Sequence, residues 1–297
     1  MPVVQVTQNF ARQDVSSITA VPDYVEVMKT LTAILKTTCL MAATLASPAM
    51  AGPFDDLARI DVIPGWQTPS GTHMAGVRVT LRPGWKTYWR APGDAGIPPQ
   101  FSWTGSQNIT AAQFHWPVPQ VFEQGAMQSI GYHDTLVLPI ELTQVDPNAP
   151  IHMSGEITIG VCEDICVPVS LPFDALLPAD GRRDGAITAS LLNQPVSASD
   201  AGVQTATCDV SPGERGLMVT ATLTMPPAGQ TEAVIVEAGN PEIWVSQADI
   251  TRNGDTLQAT VDMIHASSSS FALDRSAIRI TVLGSDYAVD VRGCPKG

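Results

Sequence analysis

The chain has 297 residues, 44% of them hydrophobic and 15% charged, with 23 Gly and 24 Pro. That is enough apolar material for one or two cores and too many helix breakers for a helical bundle. With 29 acidic against 16 basic residues the net charge is -13, which excludes the basic footprint of a nucleic-acid binder and disfavours anionic membrane surfaces.

The first 51 residues read as a segment apart from the fold. From Met28 to Ala51, "MKTLTAILKTTCLMAATLASPAMA" has Lys29 and Lys36 early, an uncharged apolar run, then Pro48 and the small pair Ala49 and Ala51. This is the layout of a secretory signal cleaved before Gly52, and the apolar run is too short to span a bilayer. Residues 1–27 carry Asp14, Asp23 and Glu26 and look like an extension ahead of the true start. Removing 1–51 takes away three acids and three bases, so the mature chain keeps its charge of -13. Export to an oxidising compartment is the expectation. Cys39 goes with the signal, and the four remaining cysteines are expected to pair.

From Ala75 onward come short apolar or alternating segments: "AGVRVTLR", "WKTYWR", "AAQFHWPV", "LVLPIELT", "IHMSGEITIGV" and "VSLPFDALL". Their lengths and the Gly/Pro-rich breaks between them predict an antiparallel sandwich over 52–180 rather than βαβ units. A polar, small-residue stretch at 181–202, with one helical turn around Ser190 to Asn193, reads as a linker. Seven further segments, from "VQTATCDV" to "YAVDVRG", predict a second sandwich over 203–297. The fold class expected is all-β, with two immunoglobulin-like sandwiches. No phosphate loop, nucleophile elbow or H-E-x-x-H stretch occurs in either half.

Cys162 and Cys166 flank Glu163, Asp164 and Ile165, whereas Cys208 and Cys294 lie near the two ends of the second half. A bond from 208 to 294 closes a loop of about 87 residues, worth roughly 4 to 5 kcal/mol by chain entropy, against about 2 kcal/mol for the loop of about five residues between 162 and 166. The long bond suits a structural staple. The short one requires the chain to turn at Glu163 and Asp164 and suits thiol exchange, with two acids that raise the thiol pKa values and argue against a strong oxidant. Two other readings stand beside it: a plain hairpin disulfide, and half a metal site, with His73, Met74, His152 and Met153 as further Cu(I) ligands. Five of the six tryptophans (Trp66, Trp85, Trp89, Trp103 and Trp116) fall in the first half, which leaves room for a sugar-stacking surface, though core positions suit them better.

Four stretches together, "PGWKTYWRAPGDAGIPPQFSW" (83–103), "FHWPVPQVF" (114–122), "GYHDTLVLPIEL" (131–142) and "VCEDICVP" (161–168), resemble the N-terminal periplasmic domain of the DsbD/ScsB-like thiol:disulfide interchange family. The resemblance spans about residues 60 to 180. It implies a periplasmic immunoglobulin-like domain in which Cys162 and Cys166 are the catalytic pair, with no cofactor and a link to copper tolerance through the ScsB branch. It implies a shielding cap at 122–134, with Met127 or Tyr132 as the shield, and it places Tyr88 and Trp89 beside the cysteines. The family's membrane helices and thioredoxin-like domain have no counterpart before Gly297. The implied partners are therefore a separate membrane-embedded thiol reductase and periplasmic thioredoxin-like or disulfide isomerase proteins. The runner-up is a non-catalytic binding module for copper or a partner protein.

Overall fold

The computed structural model describes residues 56–94, 96–124 and 127–297. The expected signal peptide and the extension before it lie outside the described residues. In the first half, ten strands follow in chain order: β1 (Ala58–Gln67), β2 (His73–Leu81), β3 (Lys86–Tyr88), β4 (Gln100–Ser102), β5 (Ala111–Phe114), β6 (Gln120–Gln124), β7 (Met127–His133), β8 (Thr135–Thr143), β9 (Ile151–Cys162) and β10 (Cys166–Leu177). They form a sheet of order β1-β2-β8-β5 and a second of order β10-β9-β3-β7-β6, with β4 paired to β9. Every pairing in these two sheets is antiparallel.

The core between the sheets follows from period-two alternation. Val77 and Val79 on β2 and Leu136, Leu138 and Ile140 on β8 meet Ile157, Ile159 and Val161 on β9. β1 was absent from the expected strands because "IPGW" interrupts it. The structure resolves the conflict with a register shift between Ile63 and Trp66. Gly65 there has φ 71°, and a β-carbon would stand 1.7 Å from the carbonyl oxygen of Met74, so only glycine allows this approach.

The stretch read as a linker holds a longer helix than expected, α1 (Gly185–Leu192). Asp184 caps it by accepting from the backbone N–H groups of Ala186 and Ile187, a contribution of about 1 kcal/mol. Ile187 is fully buried against Ile63, Trp66 and Met74, and Gly76 on β2 leaves the space it fills. The helix thus seals the outer face of the first sheet.

The second half contains β11 (Val196–Ser197), β12 (Thr205–Pro212), β13 (Leu217–Thr224), β14 (Glu232–Glu237), β15 (Ile243–Val245), β16 (Asp249–Asn253), β17 (Thr256–His265), β18 (Arg279–Gly284) and β19 (Ala288–Arg292). Sheets of order β11-β19-β18-β14 and β12-β13-β17-β15 enclose its core, and the expected single strand "EIWVSQADI" is split into β15 and β16, both paired with β17. Val234, Ile280, Val282 and Val289 point into this second core. The intervening residues Ala233, Ile235, Leu283 and Ala288 instead join the core of the first sandwich. On that same outer face Arg90 makes a bidentate contact with Glu237, at 3.1 and 2.9 Å, and a 3.3 Å bond to Thr281 Oγ1. Its guanidinium also lies 3.8 Å from the centre of the Trp89 ring. Among the described residues the two sandwiches accordingly pack as one unit.

Candidate thiol:disulfide exchange site

The 12-residue strands β9 and β10 pair along their whole length, from Ile151 opposite Leu177 to Cys162 opposite Cys166. Glu163, Asp164 and Ile165 make the tip of this hairpin. The two cysteines face each other across the last rung, with α-carbons 4.2 Å apart, and are disulfide-bonded. The turn required by the sequence is therefore an ordinary hairpin end. Its two sulfur-bearing residues differ sharply in access: Cys162 is 0% exposed, while Cys166 is exposed and Ile165 beside it is 72% exposed. Glu163 and Asp164 are exposed as well, so water and salt weaken their effect on the thiols.

β3 runs alongside β9, with Lys86 opposite Cys162 and Thr87 opposite Val161. Alternation puts Lys86 and Tyr88 on the face that carries the disulfide, and Thr87 on the core side. The Tyr88 hydroxyl lies 2.8 Å from Cys162 Sγ and 3.0 Å from Cys166 Sγ. Its ring fits there because residue 160, two before Cys162, is glycine: a β-carbon would stand 2.8 Å from the ring and 2.9 Å from the β-carbon of Ile97. Gly96 lies against the other edge of the ring, and the Pro92 carbonyl accepts from the Ile130 N–H. Tyr88 is 2% exposed, and burial pushes its hydroxyl pKa up, so at neutral pH it is a proton-bearing donor.

Of the four residues expected to shield the pair, Tyr88 is the one brought to the sulfurs. Trp89 is fully buried in the core and its indole Nε1 has no hydrogen-bond partner among the described residues. Tyr132 stands opposite Thr87 on the core side, stacks on Trp116 and donates to the Pro117 carbonyl at 2.8 Å. Met127 begins β7 and is 54% exposed. The expected cap, 122–134, is largely the β6–β7 hairpin. Lys86, Gly160 and Ile97 were missed, although the alternation in "WKTYWR" and the glycine two before Cys162 were readable.

Among the proposed copper ligands, Met153 is buried in the core, nine residues along β9 from Cys162, a distance of about 30 Å in a strand. His73 is buried and donates to the Pro64 carbonyl; Met74 packs on Trp66; His152 pairs with Asp174 at 3.0 Å. No group of three or more His, Cys, Asp or Glu side chains is placed to hold a metal among the described residues. Trp66, Trp89 and Trp116 are buried, which leaves no tryptophan platform for a sugar built from them.

Cys208 on β12 and Cys294 after β19 form the other disulfide, with both residues at most 1% exposed and α-carbons 5.4 Å apart. It ties one sheet of the second sandwich to the other. Arg275 donates to the Cys208 carbonyl, and the Cys208 N–H is bonded to the Pro295 carbonyl.

Residues 59–178 match the family described as "Thiol:disulfide interchange protein DsbD, N-terminal". The crystal structure of the N-terminal periplasmic domain of ScsB from Proteus mirabilis superposes with a TM-score of 0.63 at 23% identity, covering 84% of this chain and 97% of that one. This likeness extends over both sandwiches and concerns the fold. The reduced DsbD N-terminal domain of Neisseria meningitidis aligns at 14% identity over 45% of this chain and 91% of that one, at a TM-score of 0.27, too low to speak to the fold. No curated protein matches the chain. The region that carries the Cys162–Cys166 disulfide is a DsbD-like N-terminal domain.

Proposed function

We propose that the protein is a periplasmic thiol:disulfide carrier in which Cys162 and Cys166 alternate between disulfide and dithiol while Cys208 and Cys294 stay bonded. The observation that carries this reading is the asymmetry of one bond: Cys166 is open to a partner, and Cys162 is sealed with the Tyr88 hydroxyl 2.8 Å from its sulfur.

A thiolate of a reduced dithiol donor attacks Cys166 Sγ. The Cys162–Cys166 bond breaks, and its electron pair leaves on Cys162, whose thiolate accepts a hydrogen bond from Tyr88. The donor's second thiolate then attacks the donor sulfur of the mixed disulfide and releases Cys166 as a thiolate. The donor ends as a disulfide, and this protein has gained two electrons, with protons for its thiolates coming from water. Delivery to a client disulfide is the reverse: Cys166 attacks, and Cys162 resolves the mixed disulfide. A better-stabilised leaving thiolate leaves faster, which gives Tyr88 its role.

The partners consistent with this chemistry are a membrane-embedded thiol reductase as donor and thioredoxin-like or disulfide isomerase proteins as clients. No helix among the described residues is long and apolar enough to cross a membrane.

Single-cysteine variants test the assignment. With glutathione disulfide, Cys162→Ser, which leaves Cys166, is expected to form a mixed disulfide at least about a hundredfold faster than Cys166→Ser, because only an accessible thiolate attacks. Equal rates, or no reaction at Cys166, would sink it.

A further inference from the structure

Lys86 is a buried cation at the exchange site to which the chemistry above assigns no task. It is 6% exposed, stands directly opposite Cys162 in the ladder, and shares its face. Side chains in such opposite positions have β-carbons about 5 Å apart. The ammonium is held by neutral groups: Nζ donates to Ser129 Oγ at 3.3 Å and lies 4.9 Å from the centre of the Phe122 ring. Among the described residues no carboxylate forms an ion pair with it. A lysine in such a setting is costly, and burial lowers its pKa. Residue 131, opposite Tyr88 on β7, is glycine, and a β-carbon there would stand 1.9 Å from the Thr87 carbonyl oxygen, so β7 packs closely against β3 beside the lysine.

We infer that Lys86 is a positioning residue for the exchange reaction, a preset countercharge that favours the Cys162 thiolate formed when the disulfide opens. The inference rests on the carrier reading. With the disulfide closed, the site is a buried charge without an anion. On reduction the electron pair left on Cys162 supplies an anion on the adjacent strand β9, on the face that Lys86 shares, while the ammonium lies over β7 at Ser129 and Phe122 and Tyr88 covers the sulfurs. The ammonium gains by the same interaction that steadies the thiolate, so the dithiol form is favoured and the disulfide is easier to reduce. The other titratable groups about the site are Tyr88 on the same strand, His133 opposite Lys86 on β7, Cys166 on β10, and Glu163 and Asp164 in the hairpin tip. His133 stands edge-on to Phe122, 5.0 Å between ring centres. The tip acids oppose Lys86 but are exposed, and their influence is the more screened.

The test titrates the reduced protein by thiolate absorbance and equilibrates the oxidised protein with glutathione buffers, for wild type, Lys86→Met and Lys86→Arg. In Lys86→Met the Cys162 thiol midpoint is expected to rise by about one to two pH units, and the equilibrium to shift towards disulfide about tenfold. Lys86→Arg should restore most of both, which a filler of space would not. An unchanged thiol midpoint in folded Lys86→Met overturns the inference, and so does failure of arginine to rescue. If Lys86→Met does not fold, the wild type decides: the Nζ pKa of Lys86, followed by NMR, must be higher in the reduced than in the oxidised protein, and equal values overturn the inference. Failure of the carrier reading looks different, because the wild-type 162–166 disulfide would then resist glutathione altogether.

Discussion

The two disulfides of this chain are the same covalent bond in opposite surroundings. Cys208–Cys294 joins positions 86 residues apart, lies wholly inside the second sandwich, and both of its cysteine residues are bound into backbone hydrogen bonds. Cys162–Cys166 spans a separation of four, sits at the end of a hairpin that β9–β10 pairing already holds closed, and turns one half towards solvent. The contrast teaches that stapling and exchange ask for different neighbours rather than different sulfur chemistry. A staple restricts the unfolded chain and wants burial, whereas an exchange pair wants one accessible sulfur, one protected leaving group and a scaffold that holds without the bond.

The largest expected effect breaks this contrast directly. Replacing Cys208 and Cys294 by serine removes about 4 kcal/mol of chain-entropy stabilisation, while the same change at Cys162 and Cys166 removes about 2 kcal/mol or less. Denaturant unfolding of the two double variants measures the gap, and equal losses would mean that the hairpin bond is also structural. Next comes Gly160→Val, which forces side-chain atoms into the Tyr88 ring and Ile97 at a cost of about 2 kcal/mol. It should slow reduction of 162–166 as well, because the hydroxyl is driven off the sulfurs. Near-wild-type stability and exchange in that variant would show that the ring does not need its glycine seat.

Tyr88→Phe keeps the ring and removes the donor. Reduction by a dithiol is expected to slow about tenfold, the equivalent of one hydrogen bond to a charged group. Stopped-flow rates check this. The smallest effect is a pH dependence confined to the second sandwich. Burial raises the Asp290 pKa, but the hydrogen bonds and charges of Arg279 and Arg292 outweigh it and hold the carboxyl below its ordinary value of 3.8. A depressed folded-state pKa stabilises above the unfolded value and loses that contribution as pH falls through the folded one. As pH falls below about 4, Asp290→Asn should flatten the decline of stability with pH. An unchanged slope would remove Asp290 from the acid response.

Much of this was readable before any coordinates. Alternation set the core faces of β2, β8, β9 and β17, since strand patterns with one buried side have a strict period of two. The pairing of the four cysteines into one short and one long loop was also readable, and the structure has both bonds. What stayed hidden depended on register and on long-range contacts. Tyr88 and Tyr132 are equally plausible shields in sequence, and only the pairing of β3 with β7 and β9 sends one to the sulfurs and the other to the core. Lys86 attracted no attention because a lone lysine in a strand normally points to water. The docking of Ala233, Ile235, Leu283 and Ala288 on the first core was hidden for a related reason: a strand apolar on both faces does not say what covers its second face. The bulge at Gly65 concealed β1, as Pro and Gly within a strand pattern usually mark its end.

The central claim is that one disulfide exchanges and the other does not, within one folded molecule. It is tested most directly by equilibrating the oxidised protein with glutathione buffers of graded poise, alkylating, and counting modified cysteines by peptide mass. The account predicts modification of Cys162 and Cys166 together at poises where Cys208 and Cys294 remain bonded. Joint release of all four cysteines at the same poise, or earlier opening of 208–294, would contradict it.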